Sequence, residues 1–164
     1  MTMRELTLWL ASLPLSPILR RSSWAIPGLQ TLHILSLGAL LASIVMIDLR
    51  IWGYARSATL VESARRFLPW IWVSLVLLTV TGVLLMIAEP RRILNGTFQV
   101  KMILMVVAIA ATVPFHWALG RYSAVCDTDP GARAWAGMFA AWILFLWVAD
   151  TVAGRGRWIA NLLG

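Results

Sequence analysis

Residues 67–88 read FLPWIWVSLVLLTVTGVLLMIA, twenty-two positions without a formal charge, followed at once by Glu89-Pro90-Arg91-Arg92. A run of about 18 or more apolar residues, at 1.5 Å of rise each, is long enough to cross a hydrocarbon layer of about 30 Å. Three more runs of this kind flank it. Residues 29–49 carry one histidine before ending at Asp48 and Arg50, residues 101–121 carry the other, and residues 133–154 are interrupted only by Asp150. Of the 164 residues 60% are hydrophobic and 13% charged, which leaves no material for a sizeable soluble core. The sequence therefore predicts an all-α fold, an integral membrane four-helix bundle in the lipid bilayer forming a single domain over residues 1–164. Connections of roughly 12 to 20 residues would join antiparallel neighbours.

The segment before the first span lacks the features of a cleaved leader. Its apolar stretch, residues 6–13, is short and is followed by Pro14 and Pro17 with no small-residue cleavage pattern. Leu6, Trp9, Leu10 and Leu13 recur at helical spacing, so a short N-terminal interfacial helix is expected.

A net charge of +7 does not point to nucleic acid, because the basic residues cluster at the ends of the apolar runs, where Lys and Arg reach the headgroups. Ten tryptophans fit an aromatic belt at the two interfaces. Trp142 and Trp147 fall deeper and are expected to pack inside the bundle or against a flat ligand. Call face A the side holding the N-terminus, the second connection and the C-terminus, and face B the other. Face A carries Arg4, Arg20, Arg21, Arg91, Arg92, Lys101, Arg155 and Arg157; face B carries Arg50, Arg56, Arg65, Arg66, Arg121 and Arg133. The positive-inside rule then favours a cytoplasmic N-terminus by a small margin.

One cysteine, Cys126, excludes an internal disulfide and any paired-cysteine metal or haem-attachment motif. Chemistry falls to the few ionisable groups at membrane depth, which are costly to place there. These are His33, His116 and Asp150, with Asp48 and Glu89 at the borders. The structural alternative for each histidine is a hydrogen bond to a neighbouring helix. For Asp48, two residues before Arg50, it is an interfacial charge pair, and Glu89 before Arg91 invites the same explanation.

Imidazole facing a bundle interior commonly holds haem or a transition metal. Ala108 and Thr112 share the face of His116 and are expected to leave room there for a flat macrocycle. The run boundaries place His33 and His116 roughly 6 Å inside opposite faces, about 18 Å apart in depth, so one iron would not bind both. Two sites follow: His33 with Met86, Glu89 and Asp150 as candidate haem-iron or copper ligands, and His116 near Asp48, Cys126 and Asp127.

The chain also resembles a family of small bacterial four-helix membrane proteins, related in outline to CopD-like copper-resistance proteins and cytochrome b561-like electron carriers. The resemblance lies in His33, in Asp48-Leu49-Arg50, in Pro69-Trp70 and Thr81-Gly82, in Asn95, Phe98 and Lys101 spaced as Asn-x-x-Phe-x-x-Lys, and in His116. It implies haem b, with copper as an additional metal, held by His33 and His116 in a bacterial inner membrane. Two-haem cytochrome b561-like proteins use four axial histidines, whereas this chain has two. A homodimer that completes the ligand sets is the expected resolution. Arg50, Lys101 and Arg121, cationic groups at span borders, are expected to pair with propionates. The function expected is membrane-embedded haem-dependent electron transfer or redox chemistry with a redox partner the sequence does not name. The alternatives are a copper or small-solute transporter without haem, using His33, Met86, Glu89 and Asp150 as its path, and a cofactor-free membrane scaffold.

Overall fold

A computed structural model describes residues 3–54 and 59–153, and all their regular structure is helical. Two short helices, α1 (Met3–Ser12) and α2 (Leu15–Arg21), precede four long ones: α3 (Ala25–Ile51), α4 (Leu60–Ala88), α5 (Gly96–Thr128) and α6 (Pro130–Ala153). Each long helix is apolar enough and long enough to span a membrane. The four-helix membrane bundle read from the sequence is thus the fold. Helix α3 packs on α4, α4 on α5, α5 on α6, and α6 returns to α3, closing a ring around Leu40, Ile44, Ile71, Leu78 and Ile143. The outer surface is apolar as well, with Val73, Val76, Val80 and Val83 on α4 and Trp135, Phe139 and Phe145 on α6 turned outward, as contact with lipid tails requires.

The N-terminal helix forms as expected. Leu10 is its buried residue, Leu8 and Trp9 remain exposed, and the helix rests on the 3₁₀ turn Pro90–Leu94 that joins α4 to α5.

The long helices overrun the apolar stretches that revealed them. Hydrophobicity marks what lies in hydrocarbon, but helix ends are set by caps. Thr59 and Glu62 form a capping box at the start of α4, and Asn95 accepts from the Thr97 amide at the start of α5. The largest departure is the third connection, which shrinks to Asp129 between α5 and α6. Nothing in the stretch from Arg121 to Thr128 breaks a helix; Pro130 is the first residue that forces the preceding one out of helical geometry. Cys126 and Asp127 therefore sit on α5 rather than in a loop, and Cys126 is a free, buried thiol.

At face B, Asp127 of α5 and Arg133 of α6 tie the end of α3 and the start of α4 together. Asp127 accepts from the amides of Leu60 (3.0 Å), Val61 (3.4 Å) and from Arg50 Nη2 (3.2 Å). Arg133 donates to the carbonyls of Ile51 (2.7 Å) and Arg50 (3.0 Å), satisfying the end of α3 from the start of α6.

Candidate functional site

His33 lies on the α3 face that meets α4. Its Nδ1 is 2.9 Å from Thr81 Oγ1, and the Thr81 hydroxyl is 2.6 Å from the Leu77 carbonyl. A threonine has one proton to give. With that proton on the Leu77 carbonyl, Thr81 accepts from His33 Nδ1–H, and the network assigns the ring lone pair to Nε2. Gly82 faces the ring: a Cβ there would stand in van der Waals contact with His33 Cε1, at 3.4 Å.

His33 lines a cavity of about 260 Å³ between α3, α4 and α5. The same cavity is lined by Met86 from α4, by Phe98, Lys101, Met102 and Met105 from α5, and by Gln30, Glu89 and Arg92 nearer face A. Glu89 is ion-paired with Arg92, the residue three positions on, rather than with Arg91. Lys101 lies within electrostatic reach of both His33 and Asp150. Asp150 is buried on α6 with Oδ1 unpartnered, and it does not line the cavity. Of the residues expected at the first site, then, His33, Met86 and Glu89 come together, Lys101 joins them, and Asp150 lies outside the cavity lining.

Met102 and Met105 are functional candidates that the sequence reading missed. Once α5 is seen to begin at Gly96, residues 98, 101, 102 and 105 fall on one face at the i, i+3, i+4, i+7 spacing. The N-cap Asn95 was the signal that would have found them.

His116 occupies a different interface. It is 1% exposed, its Nδ1 is 3.0 Å from the Thr112 carbonyl, and its Nε2 has no partner. Thr112 donates to the Ala108 carbonyl at 2.6 Å and accepts from Trp147 Nε1 at 2.9 Å. Trp147 is fully buried, so the room expected for a macrocycle along Ala108 and Thr112 is closed by this indole. Trp142 departs from expectation in the other direction: it is outward-facing and stacks on Phe145.

The depth separation of the histidines is also smaller than the run boundaries imply. Arg50 and Asp127 meet at 3.2 Å on two helices that run the same way. His33 precedes Arg50 by 17 residues and His116 precedes Asp127 by 11, which leaves the rings about 9 Å apart in depth. They still serve different neighbours, Thr81 on α4 for one and Thr112 beside Trp147 for the other.

The other two expected propionate partners are elsewhere. Arg50 is engaged by Asp127, and Arg121 lies over the Trp117 ring at 4.1 Å. Asp48 does not pair with Arg50; it turns inward, 0% exposed, with neither carboxylate oxygen hydrogen-bonded. Among the described residues no group of three or more His, Cys, Asp or Glu side chains is placed to hold a metal ion. Whatever the cavity binds meets one imidazole, thioethers, the Glu89 carboxylate, cations and apolar walls. Comparison with known proteins finds no matching family model, no matching curated protein and no matching solved structure.

Proposed function

We propose that the chain is a membrane-embedded b-type haem protein that carries electrons, in which His33 would hold the iron in the cavity between α3, α4 and α5. The observation that carries this reading is the setting of His33. Thr81 engages Nδ1, leaving Nε2 as the lone-pair nitrogen of a ring that lines a cavity shared with three thioethers and two cations.

The residues present fit the group. Met86, Met102 or Met105 would offer the iron a thioether, Phe98 and the aliphatic walls suit a flat macrocycle, and Lys101 would suit its propionates. The haem would supply the one-electron chemistry. The chain's own residues orient the ligand through Thr81, surround it with apolar side chains and set the local charge through Lys101. In this reading His116 is a structural residue of the α5–α6 interface, and no second chain is needed to complete the ligand set.

The purified protein, air-oxidised and then dithionite-reduced, is expected to show sharp visible bands and to yield a pyridine-extractable b-type chromophore. His33→Ala should remove them and His116→Ala should leave them in place. A colourless protein after expression with ample haem would sink the proposal, as would loss of the bands in His116→Ala alone.

The second reading is a copper carrier without haem, favoured by one observation: Met86, Met102 and Met105 line the same cavity as His33. Thioethers select Cu(I), and imidazole also suits copper. Copper found by elemental analysis in a protein without visible bands would establish this reading instead. Finer placement belongs to the same proposal: a bacterial inner membrane, with the N-terminus cytoplasmic on the balance of face A and face B charges. The homodimer is a separate proposal that mass analysis in mild detergent tests directly.

A further inference from the structure

At face B, away from the haem or copper cavity, a groove runs between the end of α3 and the first three turns of α6. It is lined by Ile51, Trp52, Pro130, Arg133 and the α6 face from Ala134 to Ala141. Its volume is about 520 Å³. The groove is open because α6 is narrow here: Trp52 lies across Gly137, its Nε1 donating to the Gly137 carbonyl at 3.2 Å and its Cδ1 within 3.3 Å of where a Cβ would stand. A larger residue at 137 would push the indole away and change the groove wall.

Arg133 is a fixed cation at the mouth. Its Nε and Nη2 donate to the Ile51 and Arg50 carbonyls, which hold the guanidinium in place without neutralising it. Two of its five N–H groups are so used. Among the described residues no carboxylate is within ion-pairing distance of Arg133; the Asp127 carboxylate pairs with Arg50. A held positive charge with unused donors, at the headgroup end of an apolar groove bordered by Trp52 and Met138, matches an anion attached to a hydrocarbon chain.

We propose that this groove binds one anionic phospholipid, its phosphate on Arg133 and an acyl chain along α6 past Met138 and Ala141. The site is independent of whether the cavity at the other end holds haem, copper or nothing.

The full chain, purified in mild detergent and examined by native mass spectrometry, should retain one phosphatidylglycerol in preference to phosphatidylcholine with the same acyl chains. Arg133→Gln should weaken retention of phosphatidylglycerol by roughly tenfold, the effect of losing one charge-assisted contact. Because Arg133 also closes the end of α3, a second variant leaves the cation untouched: Ala141→Phe fills the groove and should exclude the lipid while the protein keeps its thermal midpoint. Arg66→Gln, on the same face outside the groove, should change nothing. Equal retention of the two lipids by the parent chain overturns the proposal, and so does retention of phosphatidylglycerol by Ala141→Phe.

Discussion

Single hydroxyl groups decide how the buried donors of this bundle are satisfied. Thr81 and Thr112 each give their proton to a carbonyl one turn back and use an oxygen lone pair for a ring N–H, from His33 in one case and Trp147 in the other. Thr81→Val keeps the shape and removes the acceptor, so under the proposed function haem affinity should fall by about 10- to 100-fold, the usual cost of losing an outer partner of a ligating histidine. Haem titration of the apoprotein measures this, and unchanged affinity would show that Thr81 does not position the ring. Thr112→Val should leave the Trp147 N–H buried and unpaired and cost about 1–3 kcal/mol of stability. In a double-mutant cycle with Trp147→Phe the losses should be less than additive. The placing of His33 within the bundle was legible in the sequence because an imidazole within an apolar run stands out. The inward turn of Asp48 was not, since Arg50 two residues away offered an obvious local partner and the true partner, Asp127, is 77 positions away from Arg50. Trp147 likewise could be placed in depth but not in direction, and it fills the space that Ala108 and Thr112 were expected to leave.

At the scale of the helix, composition reveals the span and capping decides its length. The four apolar runs found all four long helices, yet every helix differs from its run at one or both ends. The α4 start illustrates why. Thr59 and Glu62 form a box that sequence inspection can recognise, but Asp127 also reaches across from α5 to the Leu60 and Val61 amides, a contact that exists only once the bundle has formed. Its charge is well placed at a helix N-terminus. Thr59→Ala should cost about 1 kcal/mol. Asp127→Ala, which strips the first turn and leaves Arg50 without this partner, should cost about 2–3 kcal/mol. Both act on the first turn of α4, so the double variant should lose less than the sum. Unfolding in mixed detergent and denaturant measures all three, and an Asp127→Ala effect below that of Thr59→Ala would mean that the α5 contribution to this helix end is minor.

For the whole molecule the two ends of the bundle are chemically different. The His33 cavity reaches the α4–α5 connection through Glu89 and Arg92, whereas the Arg50–Asp127 and Arg133 contacts gather at the opposite end. The single span α4 between them puts Tyr54, just past α3, and Asn95, the N-cap of α5, on opposite sides of the membrane. In a Cys126→Ser background, a cysteine introduced at one of these positions should react with an impermeant maleimide in intact cells, and one at the other only after permeabilisation. Reaction of both from the same side would overturn the four-span arrangement whatever the cavity holds. The same pair then tests the proposed haem site. His33 is eight residues into α3, about 12 Å from the helix start on the Asn95 side. In sealed vesicles of known orientation, an impermeant reductant should therefore reduce a haem held as proposed by His33 faster when added on the side where Asn95→Cys is labelled. Faster reduction from the Tyr54 side would move the redox centre toward His116 and Asp48, whose unpartnered Nε2 and carboxylate oxygens would then need a role beyond packing. Equal rates from both sides would leave the four spans intact but remove the asymmetry on which assignment of the cofactor to the His33 cavity depends.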